Sequence, residues 1–533
     1  MKANIAVPLA LIFIVTTKVQ TGSSAPTNAS PTYVCFDLNL NGFTETDSMG
    51  VASGQQVGYG AAHGSQHALL WSDGGTSIVD LNPAGFTESL ACYTSGTQQV
   101  GFGYGPMTGN YDHALLWSGS PDSIVDLNPD GYLVSAAYGI CGNQEVGYGW
   151  GSNAMADHAL IWSGSASNVV DIHPNGFIWS YAFGTSGDQQ VGYGIGPDYN
   201  EHALLWSGTA ASAVDLNPTG FTLSQAVSVY GARQAGLGSG PLTGNNMHAL
   251  LWSGTASSVV DLNPTGFSSS ICRGINGNYQ VGGASGPATF GNGHAILWSD
   301  TPDSAVDLHG FLSSDYGASI AAGIDANGNI AGAAYYLPAG GEHAIVWVPL
   351  PNSIVIPNDP GEAGAIWTLP TSLMNTMCNP GSGTFLPVGT NIVTYTITNS
   401  ASSRASITHI FTVTVKDSEP PTILEATATP QILWPPNNHL QPVTVNVSAT
   451  DNCHVAGSKI ISVTSNESDR HGRSDDWEIT SDLTLNLRAS RIGTGAGRIY
   501  TITVQCTDDS GNASTKTVNV TVPRSQFAIC DAN

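Results

Sequence analysis

At 533 residues the chain is long enough for roughly three to four domains. Gly supplies 63 residues, charged side chains only 10% and hydrophobic ones 41%, a composition that points to a turn-rich all-β protein and excludes wholesale disorder. The formal net charge is −25, and residues 33–350 hold 24 acidic against two basic side chains, which excludes sequence-independent binding to nucleic acid or to anionic membranes.

In chain order, the first expected element is a signal peptide over residues 1–24. Lys2 gives a positive start, Ile5 to Val15 is an apolar run too short to span a bilayer, and Thr21-Gly-Ser-Ser-Ala offers small residues for cleavage. A short linker, 25–32, follows. The mature chain is therefore expected to be secreted or held at the cell surface, monomeric and without a membrane span.

Residues 33–350 are repetitive. His-Ala-hydrophobic-hydrophobic-Trp begins at His67, His113, His158, His202, His248, His294 and His343, at spacings of 44 to 49 residues. A string like Asp-Leu-Asn-Pro-x-Gly-Phe begins at Asp37, Asp80, Asp126, Asp171, Asp215, Asp261 and Asp307. A Gln-Val-Gly-like run recurs around Val57, Val100, Val146, Val191, Ala235, Val281 and Ala331, and a weaker run such as that from Ser89 or Ser269 lies between the last two. Four short apolar runs bounded by turn formers in each repeat predict four strands, the content of one propeller blade. The predicted fold class is thus all-β, with a seven-bladed β-propeller over 33–350 followed by two immunoglobulin-like β-sandwich domains. The phase of the repeat predicts that Tyr33 to Leu38 completes the last blade beside His343 to Trp347, closing the ring without an open edge.

On these strings residues 33–350 resemble the HAF family of extracellular repeats. The resemblance implies export and repetition and brings no established activity. Leu or Ile here replaces that family's Phe after His-Ala. Residues 351–418 resemble a hyalin-repeat (HYR) module through Asn358-Asp-Pro-Gly-Glu, Cys378-Asn-Pro-Gly-Ser-Gly-Thr-Phe and Phe411-Thr-Val-Thr-Val-Lys-Asp. Glu362, Tyr395 and Ile410 stand where many members carry cysteine. Residues 419–523 are similar to the bacterial sandwich module with an LWPPNH signature, here Leu433-Trp-Pro-Pro-Asn-Asn-His. Both resemblances imply immunoglobulin-like sandwiches, the first associated with adhesion. Residues 524–533 form a tail.

None of the eight cysteines has C-x-x-C spacing, so zinc-ribbon and thioredoxin-like chemistry is excluded. Cys453 and Cys506, at ends of predicted strands, are the expected disulfide. Pairing of Cys506 with Cys530, and of Cys453 with Cys378, stays open.

Seven His and seven Asp at fixed repeat positions cannot converge unless they face a central channel, so they read as structural partners, and the seven Trp as packing residues. No nucleophile elbow, P-loop, H-E-x-x-H or EF-hand loop occurs, and no catalytic residue is assigned. The segment before each His-Ala varies in length and carries Tyr104, Tyr111, Trp150, Tyr199, Phe290 and Tyr335, the candidate ligand-binding residues for a glycan or protein partner. No metal site is assigned, but Asp451, Asp508 and Asp509 are oxygen donors of the kind Ca2+ takes, against the plainer reading of Asx turns. No other cofactor is expected. The resulting function is a secreted, non-enzymatic binding or adhesion protein. The alternative is a carbohydrate-active enzyme, or its accessory subunit, using the propeller channel. Close carboxylates in that channel would favour the enzyme, and a Gly, Ala and Ser lining would favour binding.

Overall fold

The computed structural model describes residues 32–525 apart from 40–41, 63, 73–74, 76, 153–154, 351–352, 370–376, 398–406 and 468–475. The expected signal peptide, nearly all of the linker, most of the tail and Cys530 lie outside the described residues. The chain divides into two compact units, the first made chiefly of residues up to Pro351 and the second chiefly of Asn352–Leu369, Met377–Thr396 and the residues from Thr408 on. Among the described residues no helix is long and apolar enough to cross a membrane.

The first unit is propeller-like and made of seven four-stranded antiparallel sheets. The first sheet runs Glu45–Ala52, Gln55–Ala62, Ser65–Ser72, Ser77–Asp80. The next five repeat that order, with first strands Glu88–Thr94, Tyr132–Cys141, Trp179–Thr185, Leu223–Tyr230 and Ser269–Asn276. The seventh has Tyr316–Ile324, Ile330–Tyr336 and Glu342–Leu350, and its fourth strand is Thr32–Asp37 from the start of the chain. Cys35 lies opposite Trp347 and Asp37 opposite Ile345, so the closure anticipated from the repeat phase is formed. The first strands of consecutive sheets pack side by side, and that of the seventh packs on that of the first.

Local chemistry explains why each string recurs. Every first strand carries a bulge, as between Ala137 and Gly139. There the second strand approaches so closely that a Cβ on Gly147 would meet the Ala136 carbonyl oxygen at 1.9 Å, which is why Gly follows Val in that strand. Trp162 is fully buried in a cluster that joins Val100, Leu116 and Leu127 of the preceding repeat to Ala137, Ile140 and Leu160 of its own sheet. His113 Nδ1 lies 2.8 Å from Asp126 Oδ2, and the same pair recurs in all seven sheets at 2.7–2.8 Å, the seventh joining His343 to Asp37 across the closure. The other Asp oxygen accepts the Asn128 amide N–H. Asn128 Oδ1 accepts from Ser135, whose Oγ accepts the Ala114 N–H. One polar chain of this kind links each of the first six sheets to the next, and at the closure Thr46 Oγ1 accepts the Ala344 N–H.

In the second unit, Ser353–Pro357, Ile407–Lys416, Gly389–Ile397 and Met377–Asn379 form one sheet, beside the pair Gly364–Ile366 and Phe385–Pro387. Trp367, Phe411 and Tyr395 are buried there, with ring centroids 5.8–6.0 Å apart. Two further sheets follow, Thr422–Thr429, Leu440–Thr450, Thr484–Arg488, Trp477–Ser481 and Val455–Ser465, Gly497–Asp508, Ala513–Pro523. Their inward residues, among them Leu433, Val445, Leu487, Tyr500 and Val520, share one core. The expected Cys453–Cys506 disulfide is not formed, and both are free thiols. The ladder places Cys506 opposite Ser458, with Sγ 2.9 Å from Ser458 Oγ, whereas Cys453 precedes that ladder in the turn before Val455.

Candidate functional site

The first strands present their side chains to a central cavity of about 1740 Å³ in the first unit. One sector is aromatic. Phe102, Tyr138, Tyr148, Phe183, Tyr181 and Tyr193 make a continuous run of ring contacts with centroids 4.9–6.3 Å apart, Tyr181 stacking on Tyr193 and Tyr138 on Tyr148. These rings come from the first and second strands of the second to fourth sheets.

Carboxylates border the rings. Asp112, Asp157 and Glu201 line the cavity and stand immediately before His113, His158 and His202. Tyr181 donates its hydroxyl to Asp157, and Gln225 Nε2 donates to Glu201 Oε2 at 2.7 Å. Burial raises Asp157, and the Tyr181 bond partly offsets that rise. Asp112 is raised by burial and by the charge of Glu88, a second lining carboxylate. A further group centres on Arg273, also in the lining, whose guanidinium is lowered by burial and held up by Asp47 and Glu342. Glu342 itself is pushed up to about 7, by burial first and then by Asp47 and Glu45, against the opposing effect of Arg273.

Of the six aromatic candidates read from the sequence, Tyr104, Tyr111 and Trp150 line this cavity and Tyr199, Phe290 and Tyr335 do not. Tyr199 and Phe290 sit at positive-φ turn positions and are 76% and 59% exposed. The rings of Tyr138, Tyr148, Tyr181, Phe183 and Tyr193 and the acids beside them were missed. The signal for the acids is the position just before each repeated His, which reads Gln66, Asp112, Asp157, Glu201, Met247, Gly293 and Glu342. It changes while its neighbour does not. The calcium candidates lie in the second unit. Asp508 is occupied by Asn512, Asp509 pairs with His454 at 3.0 Å, and Asp451 Oδ1 accepts the N–H groups of Cys453 and His454.

No protein-family model and no curated protein matches the chain. Solved structures do resemble it. TolB from Acinetobacter baumannii matches at 13% identity and TM-score 0.33 over 48% of this chain and 63% of its own. The β-propeller domain of the trilobed protease from Pyrococcus furiosus matches at 10% identity and TM-score 0.40 over 58% of this chain and 94% of its own. A puromycin hydrolase matches at 11% identity and TM-score 0.41 over 73% of this chain and 62% of its own. The chain therefore spans under two thirds of the length of TolB and of this hydrolase, and the likeness bears on fold alone.

The expectation of a non-enzymatic adhesion protein is corrected at this point. The channel is not lined by Gly, Ala and Ser alone, since Glu88, Asp112, Asp157 and Glu201 stand in its wall, and carboxylates there are the feature that favours an enzyme. The reading failed because the adhesive character rested on modules in the second unit, while the chemistry sits in side chains of different repeats that only the packing of sheets brings together.

Proposed function

We propose that the chain is a carbohydrate-active enzyme, or the accessory subunit of one, whose channel holds the saccharide. The observation that carries this is a continuous aromatic wall bordered by carboxylates in one large cavity. Aromatic faces stack on the apolar C–H faces of sugar rings, while carboxylates accept hydrogen bonds from their hydroxyls. Glu342, half-protonated near neutrality, has the proton affinity of a general acid, with Asp47 as the neighbouring second carboxylate. The finer architecture belongs to the same proposal. It comprises a seven-bladed ring, two immunoglobulin-like sandwiches over 351–418 and 419–523 of HYR and LWPPNH type, and export of the mature chain.

The test is a glycan array on the full chain, followed by product analysis on every saccharide that binds. Tyr148→Ala is expected to abolish binding. Glu342→Gln is expected to keep binding and remove hydrolysis, and any activity should fall as pH rises through about 7, where the folded Glu342 loses its proton. An accessory subunit would bind without hydrolysing. A chain that binds no saccharide at millimolar concentration overturns the proposal.

A further inference from the structure

A second site lies within the second unit, where the turn before Val455 meets the segment joining Lys416 to Thr422. Ligand atoms of Asp417, Asp451 and Cys453 lie within 4.8 Å of one another. Asp417 is 1% exposed, and its Oδ2 accepts no hydrogen bond, although such a buried acceptor is costly to leave unmet. Its Oδ1 is used, accepting the Glu419 N–H at 3.1 Å. The surrounding loops are fixed independently. Glu419 Oε2 accepts from Gly361 N at 2.8 Å and from Asn452 Nδ2 at 2.9 Å, and Asn512 Nδ2 donates to the Asp417 carbonyl at 3.1 Å. The free carboxylate oxygen is therefore held in place by bonds that do not involve it.

We propose that Asp417, Asp451 and Cys453 bind a zinc-class divalent cation. Two carboxylates and one sulfur form a borderline donor set, suited to an ion that accepts both thiolate and carboxylate. Calcium takes six to eight oxygens and has no use for the sulfur. Three protein ligands leave the fourth tetrahedral position for water. A cysteine thiol ordinarily carries its proton at neutral pH until a metal displaces it. Binding must therefore exchange that proton for the cation. The S–H bond breaks, a metal–sulfur bond forms, and one proton passes to solvent with no change of oxidation state. The ion would join the segment after Lys416 to the turn before Val455, tying together the sheets on either side of residue 417.

The test uses the full chain, reduced and stripped with a chelator. It is titrated with Zn2+ alone, Ca2+ alone, and Co2+ as a spectroscopic probe. Seven His–Asp pairs in the first unit are competing weak sites, so the readout must be sulfur-specific. A thiolate-to-Co2+ charge-transfer band is expected in the wild type and absent in Cys453→Ser. The Cys453→Ser chain is expected to bind one equivalent of Zn2+ fewer, and Asp417→Asn to weaken that equivalent at least ~10-fold. If Cys453→Ser does not fold, Zn2+ protection of Cys453 from alkylation in the wild type, mapped by peptide mass, replaces it. No thiolate band, an unchanged Zn2+ stoichiometry in Cys453→Ser, unprotected Cys453, or binding of Ca2+ in preference to Zn2+ each overturns the proposal.

Discussion

Two neighbouring positions in each sheet of the first unit behave in opposite ways. The His that opens the third strand is the same in all seven sheets and always meets its Asp at 2.7–2.8 Å. The residue before it is Gln, Asp, Asp, Glu, Met, Gly and Glu in turn. The first position is solved once and copied, because every sheet needs the same link to its neighbour. The second lines a shared cavity at Gln66, Asp112, Asp157, Glu201 and Met247, where copies of one side chain would give a uniform rim. In a repeat protein, identity therefore marks scaffold, and breaks in identity mark the place where ligand chemistry is set.

The largest effect should come from breaking the copied part. Trp162 has no exposed surface and fills the gap between two sheets. Trp162→Ala should cost about 3–5 kcal/mol, read from denaturant unfolding, because the neighbouring sheets cannot collapse onto the space left behind. A loss under 1 kcal/mol would show that the sheets hold together without this packing.

The next test uses a place where the copied part itself varies. The polar chain has Asn at 82, 128, 217 and 263 but His at 173 and 309. His173 makes the same bonds as the Asn. Its Nδ1 lies 2.8 Å from Ser180 Oγ and its Nε2 3.2 Å from the Phe177 carbonyl, so the ring serves as a neutral donor–acceptor in place of an amide. Burial, then the charge of His294, lowers His309 to about 4. A base depressed below its unfolded value of about 6.5 makes the unfolded chain bind more protons between pH 6.5 and 4. Stability from this site is thus intact above pH 6.5 and lost as pH falls toward 4. His309→Asn should leave stability at pH 8 unchanged and raise it at pH 4 by up to roughly 3 kcal/mol, measured as thermal unfolding across pH. A gain that is the same at both pH values would refute the titration account.

The same contrast explains what was legible in the sequence. Strand order, the role of Trp, the His–Asp pairing and the closing strand could all be read because each is repeated, and the phase of a repeat reveals which strand is missing. The channel wall could not. Tyr138 meets Phe183 and Tyr148 meets Tyr181 only when adjacent sheets pack, and nothing in one repeat shows that its ring meets one from the next. In the second unit the Cys453–Cys506 expectation failed on a register that spacing cannot give, since the bulges between Val455 and Gly457 and between Ile460 and Ser462 shift the opposing residues. Asp417 was passed over because it entered only as the last residue of the Phe411-Thr-Val-Thr-Val-Lys-Asp string, where nothing in the sequence marks it as a buried acid.

A smaller effect is expected at the border between scaffold and site. Tyr181→Phe keeps the ring stack on Tyr193 and removes only the donor to Asp157. Loss of one bond to a charged, half-buried acceptor should cost about 1–2 kcal/mol. The Asp157 carboxyl, already raised by burial, should rise further once its offsetting donor is gone. Carboxyl titration by NMR reads this directly, and a downward move would contradict the assigned bond.

The smallest stability effect should belong to Trp150, and it separates the two classes of position most sharply. Trp150 lies in the second strand of the third sheet, two sequence repeats of the Gly-aromatic pattern beyond Val146, yet it is 40% exposed where Trp162 of the same sheet is fully buried. An exposed ring makes few contacts that folding can lose, so Trp150→Ala should change unfolding free energy by less than about 0.5 kcal/mol. The same ring lines the cavity, where stacking on a ligand would bury it. Saccharide binding should therefore weaken while stability stays constant, the reverse of Trp162→Ala judged per unit of destabilisation. Equal and substantial losses of stability in both variants would mean that Trp150 is scaffold, and that variation along the repeat does not mark the site.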